Sequence, residues 1–325
     1  MHPKASTILR LFRTETGFIS GEFLSRKLGV SRTAVWKQIT SLRNMGYGIE
    51  AVPSRGYRLR SSPDVINPHE VSAQLDSVTI GRHLELLQLT ASTNADAFRL
   101  AEEGAVEGAV VLADAQTGGK GRRGRIWSSP AGVNLYCSVV LRPAIMPNEA
   151  PQLTFLSAVA VARAIEKTTD LTPEIKWPND LLIAGKKVAG LLDEMSAETD
   201  GINFVILGIG VNLNMTAGEF PDDLRHPATS LLLASGRRVD RSRFASAMLN
   251  ELDRLYRDFL AHGFGPVREE WQRRCNANGR QVIVSDSGTA CTGGTFIGID
   301  MDGALLLRSD NEVMQRITCG DVRVI

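Results

Sequence analysis

Apolar residues recur at helical spacing over residues 6–13, and a second helical stretch begins after Ser20, with Phe23, Leu24 and Leu28 on its inner side. Gly29-Val30-Ser31 forms a tight turn, and Ser31 caps a third helix expected over residues 32–45. Val35, Ile39 and Leu42 share its inner face, whereas Arg32, Thr33, Trp36 and Lys37 point outward near its start. Residues 47–59 read as a β-hairpin with Ser54-Arg55-Gly56 at the tip. This order is a winged helix-turn-helix, whose third helix offers its first residues to base edges. Ser31, Arg32, Thr33, Trp36, Lys37 and Arg55 are therefore the candidate DNA contacts. The polar, proline-punctuated stretch 61–68 ends the domain, which is placed at residues 1–63.

The pattern then changes. Residues 84–89 read as a strand leading through Ser92-Thr93-Asn94 into a helix over residues 95–103. Those three side chains either cap the helix or present donors and acceptors to a small polar ligand. Apolar runs at 109–113 and 133–141 predict buried strands, and residues 151–168 form a long apolar helix packed on a sheet. Residues 175–183 and 186–195 read as a hairpin in which a Pro-Asn-Asp turn holds Lys176 near Asp180, with Lys187 on the partner strand. Over residues 203–214 a continuous apolar run becomes strict alternation. Gly208 and Gly210 permit close backbone approach, while Asn212 and Asn214 either read a ligand edge or satisfy neighbouring backbone. Two amphipathic helices follow, over 242–262 and 266–274, closing a central domain at 64–275. Short strands with Gly/Asp turns at 281–285, 290–299, 303–308 and 313–317 predict a small SH3-like β-barrel over 276–325.

Composition divides the chain by charge. Residues 1–60 carry eleven Lys/Arg against three Asp/Glu, a balance of +8, leaving 26 against 33, or −7, elsewhere. A compact basic segment on a mildly acidic protein is the electrostatic footprint of a nucleic-acid-binding module. With 325 residues and 43% hydrophobic content, the chain supports several folded domains. No run of about 18 apolar residues and no signal-peptide core is present, so a cytoplasmic protein without membrane contact is expected. Cys137, Cys275, Cys291 and Cys319 are scattered, which predicts neither a disulfide framework nor a tight structural metal site.

Between the strands at 109–113 and 133–141 lies the most unusual segment. Residues 118–125 interleave four glycines with Lys120, Arg122, Arg123 and Arg125, and Trp127 follows. No acidic residue occurs from 115 to 148, so the segment's charge is available to an anion. Glycines allow close backbone approach, and guanidinium forks match phosphate oxygens. The segment lacks the Gly-Lys-Ser/Thr ending of a P-loop, and no Gly-x-Gly-x-x-Gly opens a helix, so any nucleotide is bound by another route. A carboxylate and a lysine on adjoining strands nearby, Asp180 and Lys187, suit Mg²⁺ placement and phosphoryl neutralisation.

Taken in order, the winged helix, Ser92-Thr-Asn94, Gln116-Thr-Gly-Gly-Lys-Gly-Arg-Arg-Gly-Arg125, Lys176-Trp-Pro-Asn-Asp180, Lys187-Val-Ala-Gly190, Gly208-Ile-Gly-Val-Asn-Leu-Asn214 and Gly298-Ile-Asp-x-x-Gly-Ala-Leu-Leu-Leu307 resemble the bifunctional biotin protein ligases and biotin operon repressors. The resemblance covers nearly the whole chain. It implies an α+β multidomain fold with a class II synthetase-like mixed sheet at its centre. It also implies two reactions: biotin and ATP, with Mg²⁺, give biotinyl-5′-adenylate, which then acylates a lysine of biotin carboxyl carrier protein. By position, Ser92, Thr93, Asn94, Gln116, Lys120, Gly121, Arg122, Lys187 and Gly190 would surround biotin, and Arg123, Arg125, Trp127, Asn179 and Asn212 would surround the adenylate. Arg122, Lys187 and Asp180 would carry catalysis. The family usually has Arg where this chain has Lys120, which removes one forked donor. Repression through an adenylate-bound homodimer on operator DNA is implied as well. Two other readings are a ligand-sensing transcription factor without chemistry and a lipoate or octanoate ligase; the polar set at 92–94 and Gln116 suits a ureido ring better than an alkyl chain.

Overall fold

The computed structural model describes residues 3–63, 65–199, 201–285, 291–309 and 311–325. The expected linker residue Asp64 and the expected strand start Ala290 lie outside them. By its internal contacts the chain forms two compact units, Met1–Leu75 with Asp240–Ser246, and Asp76–Val239 with Ala247–Ile325.

In the first unit, helices α1 (Pro3–Thr14), α2 (Gly21–Leu28) and α3 (Arg32–Asn44) precede a hairpin of β1 (Gly48–Val52) and β2 (Gly56–Ser61). Ser20 and Ser31 cap α2 and α3, accepting from the N–H groups of Phe23 (3.1 Å) and Ala34 (3.2 Å). Val35, Ile39 and Leu42 are fully buried together with Ile8, Leu9 and Leu24, which makes the three helices one core. A short helix unmarked by sequence periodicity, α4 (Pro68–Ala73), packs on α1. Its Glu70 is buried and accepts from Arg13 Nε at 2.9 Å, so this unit runs through Leu75.

The second unit is built on a seven-stranded mixed sheet. Its strands are β3 (Leu84–Thr90), β4 (Val110–Gln116), β5 (Leu135–Leu141), β6 (Glu174–Lys176), β7 (Asp180–Ile183), β8 (Lys186–Glu198) and β9 (Gly201–Val211), in the order β3-β4-β5-β9-β8-β7-β6. Only β3 and β4 run parallel. Helix α5 (Thr93–Glu102) lies on one sheet face, burying Ala97 and Ala101 against Val140, Phe204 and Ile206. Because side chains alternate along a strand, Gly208 and Gly210 continue that face beyond the helix start and leave its far half uncovered. Helix α6 (Pro151–Thr168) covers the opposite face, where Thr154 donates to Asp193 at 2.6 Å.

Helices α7 (Leu231–Ser235), α8 (Arg241–His262) and α9 (Gly265–Arg274) follow the sheet. The chain ends in a five-stranded antiparallel sheet of β10 (Gln281–Ser285), β11 (Cys291–Ile299), β12 (Leu305–Arg308), β13 (Met314–Ile317) and β14 (Asp321–Val324), in the order β13-β12-β11-β10-β14. Strand β14 has no counterpart in the sequence reading, because four residues with two charges carry too little apolar signal. This small sheet is docked on the larger one: Trp177 Nε1 donates to the Gly303 carbonyl at 3.1 Å, and Gln152 Nε2 donates to that of Met301 at 2.7 Å. Gly303 sits at φ +83, and a Cβ there would lie 2.2 Å from the Phe155 ring, so the turn requires glycine. The fold class inferred from sequence is the one observed: winged helix-turn-helix, mixed-sheet α/β domain and C-terminal SH3-like sheet.

Candidate active site and nucleic-acid interface

The uncovered half of the sheet face is the floor of a cavity of about 710 Å³, a size suited to a small molecule or cofactor. Its polar end is made where β3 passes into α5. Ser92 occupies the helix N-cap position without making a side-chain cap bond. Thr93 and Asn94 are bound across the sheet instead. Gln116 Oε1 accepts from the Thr93 N–H at 2.8 Å, and Gln116 Nε2 donates to Ser129 Oγ at 2.9 Å. Ser138 Oγ lies 2.8 Å from Thr93 Oγ1 and 2.6 Å from Asn94 Oδ1. Asn94 Nδ2 donates to the Leu192 carbonyl at 3.0 Å and to Glu194 at 2.8 Å. Side-chain capping of α5 is therefore not what these residues do; Thr93 is held by β4 and β5, and Asn94 by β5 and β8. A Cβ on Gly208 would lie 2.3 Å from Asn94 Oδ1, so only glycine fits beneath them.

The cationic end is the glycine-rich segment, which folds into a short hairpin of its own. Lys120 bridges Ile126, the Gly121 N–H donates to the Arg125 carbonyl at 2.7 Å, and the Trp127 N–H donates to that of Gly119 at 2.9 Å. A 3-10 turn spans Arg122–Gly124, with Arg123 at φ 58. The N–H groups of Gly121 and Trp127 are thus engaged by the segment itself, which shifts anion recognition toward the side chains. Trp127 lies over Gly190 and Gly210, which face each other in register on β8 and β9. A Cβ on Gly210 would lie 2.7 Å from the indole, and one on Gly190 would lie 3.0 Å from it. The indole Nε1 is buried and has no hydrogen-bond partner among the described residues.

Beside the indole stand the charged groups. Lys187 Nζ is 5.3 Å from the Trp127 ring centroid and 2.6 Å from Asp180 Oδ1. Asp180 starts β7 just after the cis Trp177–Pro178 bond and faces Lys176 in register. Arg122 reaches Asn179 Oδ1 at 3.4 Å, while Asn179 Nδ2 donates to the Leu191 carbonyl at 2.6 Å. Burial lowers the Arg122 pKa against the pull of Asp321, and a guanidinium remains charged there. Arg125 is ion-paired with Asp321 of β14, so the C-terminal sheet contributes a carboxylate to the cavity wall. Burial raises the Asp321 pKa, but Arg125 outweighs it and the net shift is downward.

All the expected ligand-site residues line this cavity except Arg123, whose side chain is exposed outside it. Asn212 lines it with its Nδ2 committed to the Thr229 carbonyl at 3.1 Å, and Asn214 exchanges bonds with the backbone of Val239. A third wall was not legible in the sequence. Met215, Phe220, Leu224 and His226 come from a polar, proline-broken segment whose backbone is tied to Lys187 through Pro227 and Thr229, at 2.8 Å each. Ser129, Ser138 and Glu194, which orient the polar end, were likewise invisible before strands β5 and β8 were placed.

In the first unit Arg32, Thr33, Trp36 and Lys37 are exposed along the start of α3, with Trp36 54% accessible. Arg32 is paired with Glu22 at 2.8 Å, and Ser31 is occupied as the cap. Arg55 is exposed at the hairpin tip.

Three family models match the chain: the HTH domain over residues 4–58, the Biotin/lipoate A/B protein ligase family over 86–212, and the Biotin protein ligase C terminal domain over 278–324. The chain is 42% identical to the bifunctional ligase/repressor BirA of Bacillus subtilis over 308 residues, 94% of each protein. The chain belongs to the bifunctional biotin ligase/repressor family. Another member, BirA of Escherichia coli, is 33% identical over 296 residues, 90% of this chain and 89% of that one. Among solved structures, the biotin protein ligase from Aquifex aeolicus in complex with biotin and ATP superposes with a TM-score of 0.64 at 28% identity, covering 75% of this chain and 99% of that one. Among the described residues, no helix of this bifunctional ligase/repressor is long and apolar enough to cross a membrane.

Proposed function

We propose that the chain condenses biotin with ATP to biotinyl-5′-adenylate and transfers the biotinyl group to a lysine of biotin carboxyl carrier protein. The single observation that carries this reading is one cavity with a neutral hydrogen-bonding end, at Ser92, Thr93, Asn94 and Gln116, and a cationic end, at Lys120, Arg122 and Lys187. Biotin has that polarity, with a ureido ring at one end and a carboxylate at the other. In the first step a carboxylate oxygen attacks the α-phosphorus and pyrophosphate leaves; in the second the lysine amine attacks the acyl carbon and AMP leaves. The first step brings two anions together, so rate comes from positioning and charge neutralisation, each charge-assisted hydrogen bond contributing roughly 1.5 to 3 kcal/mol. Arg122 and Lys187 supply that charge, and Asp180 holds Lys187 in place. Gly121 and Gly190 give the ligand close approach to the loop and the floor. Trp127, Asn179, Asn212 and Arg125 border the adenylate, with the unpaired Trp127 Nε1 as a donor, and Arg123 would join them only by moving inward.

Mg²⁺ enters with ATP in this reading. Asp180 is the carboxylate of the cavity that would stand beside the ion. When bound it neutralises phosphate charge.

Pyrophosphate release that requires both biotin and ATP tests the reading, and lipoate should not replace biotin. Release with lipoate alone, or with neither acid, would overturn it. Repression of biotin genes by an adenylate-bound homodimer in the cytoplasm is the second part of the proposal, supported by the exposed cations of α3. Charge reversal at Arg32 and Lys37 is expected to abolish operator retardation in a gel while ligation continues; unchanged retardation would defeat this part.

A further inference from the structure

One feature of the winged unit is explained neither by ligase chemistry nor by the helix-turn-helix pattern. The segment ahead of α2 makes a single antiparallel bridge to the hairpin: the Ile19 N–H donates to the Tyr57 carbonyl at 2.8 Å, and the Tyr57 N–H donates to that of Ile19 at 2.9 Å. Gly56 permits this contact, because it has φ +105 and a Cβ there would lie 2.1 Å from the Ile19 carbonyl oxygen. Phe18, the preceding residue, is thereby held against the wing. Two guanidinium groups lie over its ring, Arg55 at 4.5 Å and Arg58 at 4.4 Å from the centroid.

The two arginines differ in what else they hold. Arg58 donates through Nε and Nη2 to Glu50 Oε2, at 3.2 and 2.9 Å. Arg55 is exposed at the tip, where its backbone N–H donates to the Val52 carbonyl at 3.1 Å, and its guanidinium has neither a hydrogen bond nor an ion pair among the described residues. Among the described residues the Phe18 ring is the contact that fixes the guanidinium. A guanidinium held by its face keeps the N–H groups of its edge free, and the ring removes rotamer freedom that phosphate binding would otherwise have to remove. Glu50 Oε2 also accepts from Arg60 Nε at 2.6 Å, so one carboxylate offsets part of the charge of both Arg58 and Arg60 and eases the repulsion between the two cations on the ring.

We propose that Phe18 is a positioning residue that holds Arg55 ready for the sugar–phosphate backbone of duplex DNA, an inference that rests on the repressor reading above. The test uses the full chain with biotin and Mg-ATP, titrated by fluorescence anisotropy against a labelled random-sequence duplex of about 40 base pairs over a range of salt concentrations. Arg55→Ala and Phe18→Leu are each expected to weaken binding about tenfold and to lower the salt slope by about one phosphate contact. The double variant should be no weaker than either single one, and Phe18→Tyr, which keeps the ring face, should bind within about twofold of wild type. Biotin-dependent pyrophosphate release by Phe18→Leu should be unchanged. Additive losses in the double variant, a Phe18→Tyr protein as weak as Phe18→Leu, or an unchanged salt slope in Arg55→Ala would each overturn the inference while leaving repression intact. Failure of the wild-type chain to bind duplex DNA would instead overturn the repressor reading itself.

Discussion

At the scale of single residues the site is defined as much by what is missing as by what is present. Gly190, Gly208 and Gly210 clear a floor on which Asn94 and Trp127 lie, and each would strike a neighbour if it carried a Cβ. Gly210→Ala is therefore expected to lift the indole at a cost of roughly 1 to 3 kcal/mol, seen as a shifted tryptophan emission and slower pyrophosphate release. Unchanged emission would mean that the indole does not rest there. Arg122→Ala and Lys187→Ala should each slow adenylate formation by about two orders of magnitude, because in the proposed reaction each removes a positive charge from the place where two anions meet. Near-normal pyrophosphate release by both would remove them from catalysis. Lys120 is exposed on the same segment as Arg122, and its amine offers a point charge without a fork.

Among the elements, the glycine-rich hairpin and strand β14 depend on one another. Arg125 reaches Asp321 across the cavity rim, and both side chains are about one-third accessible, 35% and 31%. Exposed pairs contribute at most about 1 kcal/mol, so Asp321→Ala is expected to expose the hairpin to trypsin roughly two- to fivefold faster without unfolding the domain. An unchanged cleavage rate would show that the pair does not restrain the segment. The two partners are 196 residues apart. The hairpin was legible as a cationic segment from composition alone, but its pairing was not, because β14 has no periodic signal. The helices were easier: α3 and α6 follow their apolar spacing closely, whereas α4 and α7 are too short for a period to show.

For the molecule as a whole, charge organises both stability and function. The basic first sixty residues contain the exposed cations of α3 and the hairpin, and the acidic remainder ties its helices together. Glu251 on α8 is almost fully buried and accepts from Lys167, Arg254 and Arg163, which outweigh burial and bring its pKa to about 2. Asp253 is lowered too: burial acts against it, but the N–H groups of Val78, Thr79 and Ile80 prevail. A depressed carboxylate stabilises the fold fully above its unfolded pKa of about 4, and that contribution disappears as pH falls through the folded value. Stability should therefore drop between about pH 4.5 and 2, and Glu251→Gln should flatten that drop while costing roughly 1 to 3 kcal/mol at neutral pH in denaturant titrations. An identical acid limb in the variant would contradict this.

The sequence by itself determined the three kinds of domain, the helices and strands with clear period, and the residue types of the cavity's two ends, because hydrophobic spacing, caps and charge are local properties. Only the tertiary structure decided which groups meet. It took Ser92, Thr93 and Asn94 out of a capping role, laid Trp127 on a paired-glycine floor, brought Asp321 to Arg125 and added the wall at Met215, Phe220, Leu224 and His226. Those contacts join residues distant in the chain, and their energies depend on distance in space, which no local pattern encodes.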